Sequence, residues 1–217
     1  MVETSCSKGV RLPVGKIVCV GRNYEAHARE MKAQRPTEPL LFLKPSTALV
    51  LGGGQVQLPE WSSDIHHEIE MVVRIGQGGA RLDAAGAARA VDAVAVGLDL
   101  TARDIQAQAK ANGSPWAVAK GFDGAAPLGP LLSVGPGESL GRRDLELRVS
   151  GELRQQGSTA DMIWTVEELI VYISTRFRLE PGDLIFTGTP EGVGPLRRGQ
   201  RAVARLTGCE PLEIVFI

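Results

Sequence analysis

Glu68 and Glu70 stand one residue apart in His67-Glu68-Ile69-Glu70-Met71-Val72-Val73, and Asp99 follows in Val96-Gly97-Leu98-Asp99-Leu100-Thr101. On a strand from Glu68 to Ile75, side chains alternate faces, so both glutamates project from one side while Ile69 and Met71 turn the other way. Asp99 ends a second apolar run, Ala93 to Leu100, at the point where a strand delivers a polar group to a pocket. Carboxylates converging to roughly 5 Å would repel by about 3 kcal/mol per pair at an effective dielectric of roughly 20, so the cluster calls for a cation. An all-oxygen donor set suits Mg²⁺ or Mn²⁺ better than zinc. Spacing alone equally allows the two glutamates to line the wet face of a half-exposed strand.

Other residues carry weaker chemical signals. His27 and Glu30 are three apart, neighbours on one face of a helix, where the carboxylate could hold the imidazole or take a proton itself. Most such pairs are solvated surface pairs. Lys120, in Trp116-Ala117-Val118-Ala119-Lys120-Gly121-Phe122, is bracketed by apolar and small residues. It must snorkel or point into a polar cavity, and Lys44 in Phe42-Leu43-Lys44-Pro45 has a similar setting. The glycine-punctuated run Thr187 to Gly194 could offer amides and a hydroxyl to a carboxylate, but it lacks the ending of a phosphate-binding P-loop. His66 and Asp104 read as structural, Asp104 as the acid of a short capping box opened by Thr101.

The elements that must position these groups follow from periodicity. Lys16 to Val20, Leu40 to Leu43, Gln55 to Leu58, Glu68 to Ile75 and Ala93 to Leu100 read as strands, and Leu82 to Ala90 as a helix. Tyr24 to Lys32 reads as a polar helix, broken by the proline-bearing segment Ala33 to Pro39; together they suggest a cover. A hairpin is expected from Leu145 to Gln155 around Gly151, and a capping box at Thr165 and Glu168 opens a helix that buries Leu169, Ile170, Ile173 and Phe177. The strands Leu184 to Thr187, Arg201 to Leu206 and Leu212 to Phe216 complete a β-rich α+β pattern, a mixed sheet or roll.

The chain's 217 residues fit one domain, read as an extension over residues 1–15 and a catalytic unit over 16–217. With 24 Lys and Arg against 25 Asp and Glu, evenly mixed, there is no basic stripe for nucleic acid or an anionic membrane. No secretory signal and no membrane-length apolar run is apparent, so a cytoplasmic protein is expected. Cys6, Cys19 and Cys209 are too scattered for a metal or redox pair and read as free thiols.

Taken together, Val20-Gly21-Arg22-Asn23-Tyr24 with His27 and Glu30, Phe42-Leu43-Lys44-Pro45, His67-Glu68-Ile69-Glu70, Leu98 to Asp104, Ala119-Lys120-Gly121-Phe122 and Thr187 to Gly194 occur in the order and spacing of the fumarylacetoacetate hydrolase family. The resemblance runs from about Lys16 to the C-terminus and is greatest to the short branch of acylpyruvases, oxaloacetate decarboxylases and hydroxymuconate isomerases. It implies a mixed β-sandwich roll, a homodimer, and Mg²⁺ or Mn²⁺ held by Glu68, Glu70 and Asp99. It assigns His27, Glu30 and Lys120 to catalysis, the dyad on a lid, and Arg22, Lys44, Arg103, Gln106 and Thr189 to a small α-keto or diketo acid substrate. Hydrolysis, decarboxylation and tautomerisation in this family share an enolate, so the shared motifs do not choose among them; a silent dicarboxylate binder is the remaining reading.

Overall fold

The apolar runs become strands of two packed sheets in the computed structural model, which describes residues 2–31 and 34–217. The larger sheet runs in the order Leu40–Pro45, Lys16–Gly21, Leu184–Phe186, Ile69–Ile75, Val91–Leu98, Ala126–Leu128 and Leu49–Leu51, with Leu132–Ser133 also on Val91–Leu98. Two of its pairings are parallel, Leu184–Phe186 with Lys16–Gly21 and Ala126–Leu128 with Leu49–Leu51. The second sheet orders Glu152–Ser158, Asp144–Val149, Arg201–Leu206, Leu212–Phe216 and Gly54–Val56. The result is the β-rich mixed fold expected, a curled sheet closed by its neighbour rather than a set of βαβ units.

All seven residues of Ile69–Ile75 are buried, because both faces of that strand are covered. Met71, Val73 and Ile75 join the core with Leu145, Leu147, Val149, Ala202 and Ala204 of the second sheet. Val72 turns the other way with Cys19, Ala95 and Phe186. Glu70 lies on the Val72 face by strand period, so one side of this core merges into the carboxylate cluster. At the other end of the same face Arg74 is fully buried, forked onto Asp92 at 2.9 Å and donating to the carbonyls of Thr4 and Val10. It thereby ties the hairpin of Glu3–Ser5 and Arg11–Pro13 to the sheet.

Local signals were followed closely elsewhere. Asp144–Val149 and Glu152–Ser158 form the hairpin, with Ser150 and Gly151 both at positive φ, 51° and 84°, as a type I′ turn requires. The helix Val166–Ser174 starts at a complete capping box, Thr165 Oγ1 accepting from the Glu168 amide and Glu168 Oε2 from the Thr165 amide. Leu169, Ile170 and Ile173 are buried as expected, with Phe177 half-buried against the same core. The helix expected from Tyr24 spans Glu25–Glu30; Lys32 and Ala33 lie outside the described residues. No described helix is long and apolar enough to cross a membrane.

Two local expectations are corrected. The strand read from Glu68 is interrupted: Ile65–His67 belongs to a small separate sheet with Thr101–Ala102 and Gly194–Pro195, and Glu68 occupies the break before Ile69–Ile75. Thr101 does not cap the helix Arg103–Asn112; Ala102 is at the cap position without a side-chain bond, and Thr101 lies in the small sheet. Strand pairing with His66 claims the Thr101 backbone and frees its hydroxyl for another task.

Candidate active site

The break at Glu68 is what assembles the acidic cluster. Ile69 pairs with Leu98, and the Asp99 amide donates to the Glu68 carbonyl at 2.9 Å, so Asp99 leaves its strand directly beside Glu68. One carboxylate oxygen from each of Glu68, Glu70 and Asp99 lies within 4.8 Å of the others, and all three residues are buried. Opposite Glu70 in the ladder is Gly97, where a Cβ would come 2.7 Å from Val72 Cγ2 and 2.9 Å from Phe186 Cε1. Gly188, at φ 101°, donates its amide to Glu70 Oε2 at 2.7 Å, a contact made by a left-handed backbone that favours glycine.

Burial opposes charge throughout this cluster, and the neighbours decide where charge survives. For Glu68, Lys120 and Arg103 overcome burial and hold the carboxyl well below the usual range. For Glu70, burial is reinforced by Asp99 and Glu68 and pushes the carboxyl well above it. Lys120 stays charged despite burial, because Asp99 and Glu68 raise its pKa. Its three donors are all used: Glu68 Oε2 at 2.9 Å, Asp99 Oδ2 at 2.6 Å and Thr101 Oγ1 at 2.6 Å. Lys44 is also buried, donating to the carbonyls of Leu100 and Lys120. Its ammonium stands 2.8 Å from Asp99 Oδ1, an ion pair without hydrogen-bond alignment, since that oxygen has no hydrogen-bond partner. An orphaned carboxylate oxygen, a carboxyl that ionises only against a strong counter-charge, and three hard donors within 4.8 Å fit Mg²⁺ or Mn²⁺.

A small cleft opens over Glu68 and Glu70. It brings together six of the residues expected at the site: Arg22, His27, Arg103, Gln106, Lys120 and Thr189. Arg103 bridges Glu68 Oε1 at 2.5 Å and Gln106 Oε1 at 2.7 Å. Thr189 accepts a hydrogen bond from Gln155, which leaves its own hydroxyl hydrogen for a ligand. Glu30 is not at the cleft wall: it sits behind His27, with Oε2 3.2 Å from His27 Nδ1 and Oε1 accepting from the Gly192 amide at 3.0 Å. A carboxylate only accepts, so Nδ1 carries a proton, and in the neutral imidazole that leaves the lone pair on Nε2. Lys44 likewise lies beneath the cleft rather than in its wall.

His66 and Asp104 are structural, as read. His66 bonds Asp64 at 2.9 Å, and Asp104 accepts from Ser62 Oγ at 2.6 Å and the Ser63 amide at 3.1 Å. Three contributors, Thr101, Lys110 and Gln155, were not found by sequence reasoning. Thr101 binds Lys120; Lys110 and Trp116 line the cleft; Gln155, fully buried, holds the break at Glu68. Gln155 Oε1 accepts from the Ile69 amide and from His67 Nδ1, while Nε2 donates to Thr189 Oγ1 and the Pro190 carbonyl. Lys110 was legible, since it follows Arg103 and Gln106 at i+7 and i+4 on one helix face. Gln155 was not, because nothing separates it from its polar neighbours in the strand.

Comparison with known proteins gives the same picture. The mitochondrial oxaloacetate tautomerase of Arabidopsis thaliana is 45% identical over 198 residues, covering 91% of this chain and 89% of the relative. The mitochondrial oxaloacetate decarboxylase of Dictyostelium discoideum is 43% identical over 196 residues, 90% of each. A crystal structure of fumarylpyruvate hydrolase from Pseudomonas aeruginosa with Mn²⁺ and pyruvate superimposes with a TM-score of 0.93 at 39% identity, covering 100% of this chain and 95% of that one. The family model for the fumarylacetoacetate hydrolase C-terminal region matches residues 16–215, and with these likenesses it places the chain in the short branch of the fumarylacetoacetate hydrolase family.

Proposed function

We propose that this chain is a Mg²⁺- or Mn²⁺-dependent enzyme that acts on small α-keto or diketo acids by way of an enolate. Oxaloacetate is the first substrate to test, with decarboxylation or C–C bond hydrolysis of an acylpyruvate as its overall reaction. The observation that carries this reading is the buried trio Glu68, Glu70 and Asp99 with Lys120 spanning two of its members. When bound by the three carboxylates, a divalent cation would supply electrophilic stabilisation of developing negative charge on a keto oxygen.

The protein groups divide the remaining work. Arg103, Gln106 and the Thr189 hydroxyl are positioned to orient the acid end of the substrate in the cleft. Lys120 places a compensating ammonium where enolate charge develops. Its ammonium stands 4.8 Å from the centroid of the Phe42 ring, beside the two carboxylates that it bridges. His27 Nε2 is the free base at the cleft, with Glu30 holding the tautomer and stabilising the imidazolium after proton transfer. Removing a proton next to the keto group gives tautomerisation; taking one from water gives hydrolysis of a distal carbonyl; loss of carbon dioxide needs neither. The similarity to an oxaloacetate tautomerase and an oxaloacetate decarboxylase supports oxaloacetate, and that to fumarylpyruvate hydrolase supports the hydrolytic branch.

The test is turnover by metal-stripped protein of oxaloacetate, acetylpyruvate and a hydroxymuconate diacid, with and without Mg²⁺. Mg²⁺-dependent release of pyruvate is expected from at least one of the first two. Diene isomerisation alone would make the chain an isomerase, and a Mg²⁺-dependent stability gain on ligand addition with no turnover of any would reduce it to a binder.

A further inference from the structure

Two buried lysines stand against Asp99, and only one of them reaches the cleft. Lys120 lines the cleft and bridges Glu68 to Asp99. Lys44 does neither. Its side chain is wholly buried, and its ammonium lies 2.8 Å from Asp99 Oδ1, the carboxylate oxygen that Lys120 leaves. The strand Leu40–Pro45 fixes it there, with Lys44 in register with Ile17 of the neighbouring strand. Its two hydrogen bonds go to the carbonyls of Leu100, the residue after Asp99, and of Lys120. Arg103 completes the set from the other side, so both oxygens of Glu68 and both of Asp99 face a cation. Three fixed positive charges thus oppose two carboxylates. Glu70 has no cation paired with it among the described residues and is met by the Gly188 amide. A divalent cation entering this cluster is drawn by the carboxylates and repelled by the fixed cations. At an effective dielectric of about 20, unit charges about 5 Å apart interact strongly enough to change an affinity by more than about ten-fold.

Resting on the metal-dependent reading above, we propose that Lys44 is a built-in counter-ion to Asp99 that holds down the affinity of the centre for a divalent cation. The cation is then bound tightly only together with an anionic ligand, whose charge offsets the surplus that the metal creates. Metal and anion become a linked pair, each raising the affinity for the other by the same factor. A lysine that merely tied the Leu100 and Lys120 carbonyls together would act on the metal only by steadying Asp99, and its loss would weaken binding. Loss of a counter-ion acts with the opposite sign. Because a dianion cancels the charge of the metal, the complex holding both is nearly indifferent to Lys44, whereas the complex with metal alone is not.

The test is a binding measurement that needs no turnover. Mn²⁺ is titrated into metal-stripped wild type, Lys44→Met and Lys44→Gln, with and without saturating oxalate as the chelating dianion, and free Mn²⁺ is read from its paramagnetic resonance signal. Lys44→Gln drops the charge but keeps a donor, and it stands beside Lys44→Met in case the apolar side chain prevents folding. Oxalate is expected to tighten Mn²⁺ binding by wild type about 100-fold. The folded variants should bind Mn²⁺ alone about ten-fold tighter than wild type, and their gain from oxalate should be about ten-fold smaller. Wild type that binds Mn²⁺ equally with and without oxalate would overturn the proposal. So would a folded variant that binds Mn²⁺ no tighter than wild type, or one whose gain from oxalate is undiminished; in each case the metal-dependent reading stands. Wild type that binds no Mn²⁺, with or without oxalate, would overturn that reading and this proposal with it.

Discussion

Replacing Gln155 by leucine should loosen the whole site from a position that touches neither cleft nor carboxylate. The amide orientation is fixed by its neighbours: the Ile69 N–H can only donate, so Oε1 faces it, and the Pro190 carbonyl can only accept, so Nε2 faces that. His67 Nδ1, sharing Oε1, must then carry its proton. Leucine would fill similar space and leave the Ile69 amide, the Pro190 carbonyl, the Thr189 hydroxyl and the His67 N–H without partners. Each buried group so orphaned costs about 1–3 kcal/mol, and the added apolar burial returns about 1 kcal/mol, so even the low end for four groups gives a net loss of about 3 kcal/mol or more. Because Glu68 lies between His67 and Ile69, both held by Gln155, Mg²⁺ affinity should fall about ten-fold or more as well. Urea unfolding and Mg²⁺ titration of wild type, Gln155→Leu and the exposed neighbour control Gln156→Leu read both effects. A Gln155→Leu protein within about 0.5 kcal/mol of wild type, with unchanged Mg²⁺ affinity, would refute the idea that this network sets the break.

Glu70→Gln keeps an oxygen for the Gly188 amide but removes a charge that burial, Asp99 and Glu68 all oppose. Mg²⁺ affinity should drop about 100-fold while the metal-free protein melts no lower than wild type; wild-type Mg²⁺ dependence in the variant would remove Glu70 from the centre. Burial lowers the pKa of His67 to about 4 from 6.5, with the Gln155 bond opposing the shift in part. The unfolded chain therefore binds the extra proton between those values, so stability is full above about pH 6.5 and declines by about 3 kcal/mol as pH falls toward 4. Unfolding free energies across that window should show this slope in wild type, and an equal slope in His67→Gln would assign it to other groups.

What the sequence determined by itself was local. Strand alternation, the Ser150-Gly151 turn and the Thr165 to Glu168 capping box depend on neighbours a few residues away, and each formed as its residues demand. Spacing by itself left the three carboxylates open between a metal centre and the wet face of a half-exposed strand; the family resemblance decided that reading and reached residues that spacing could not rank. The tertiary structure decided the rest. It broke the strand at Glu68, turned Thr101 from a helix cap into a partner of Lys120, set Glu30 behind His27, and recruited Gln155 from an unremarkable polar run. The bonds responsible join residues 52, 86 and 118 positions apart, Lys120 to Glu68, Gln155 to Ile69 and Gly188 to Glu70. Short-range periodicity carries no information about such distances; they exist only once burial forces each polar group in the interior to find a partner.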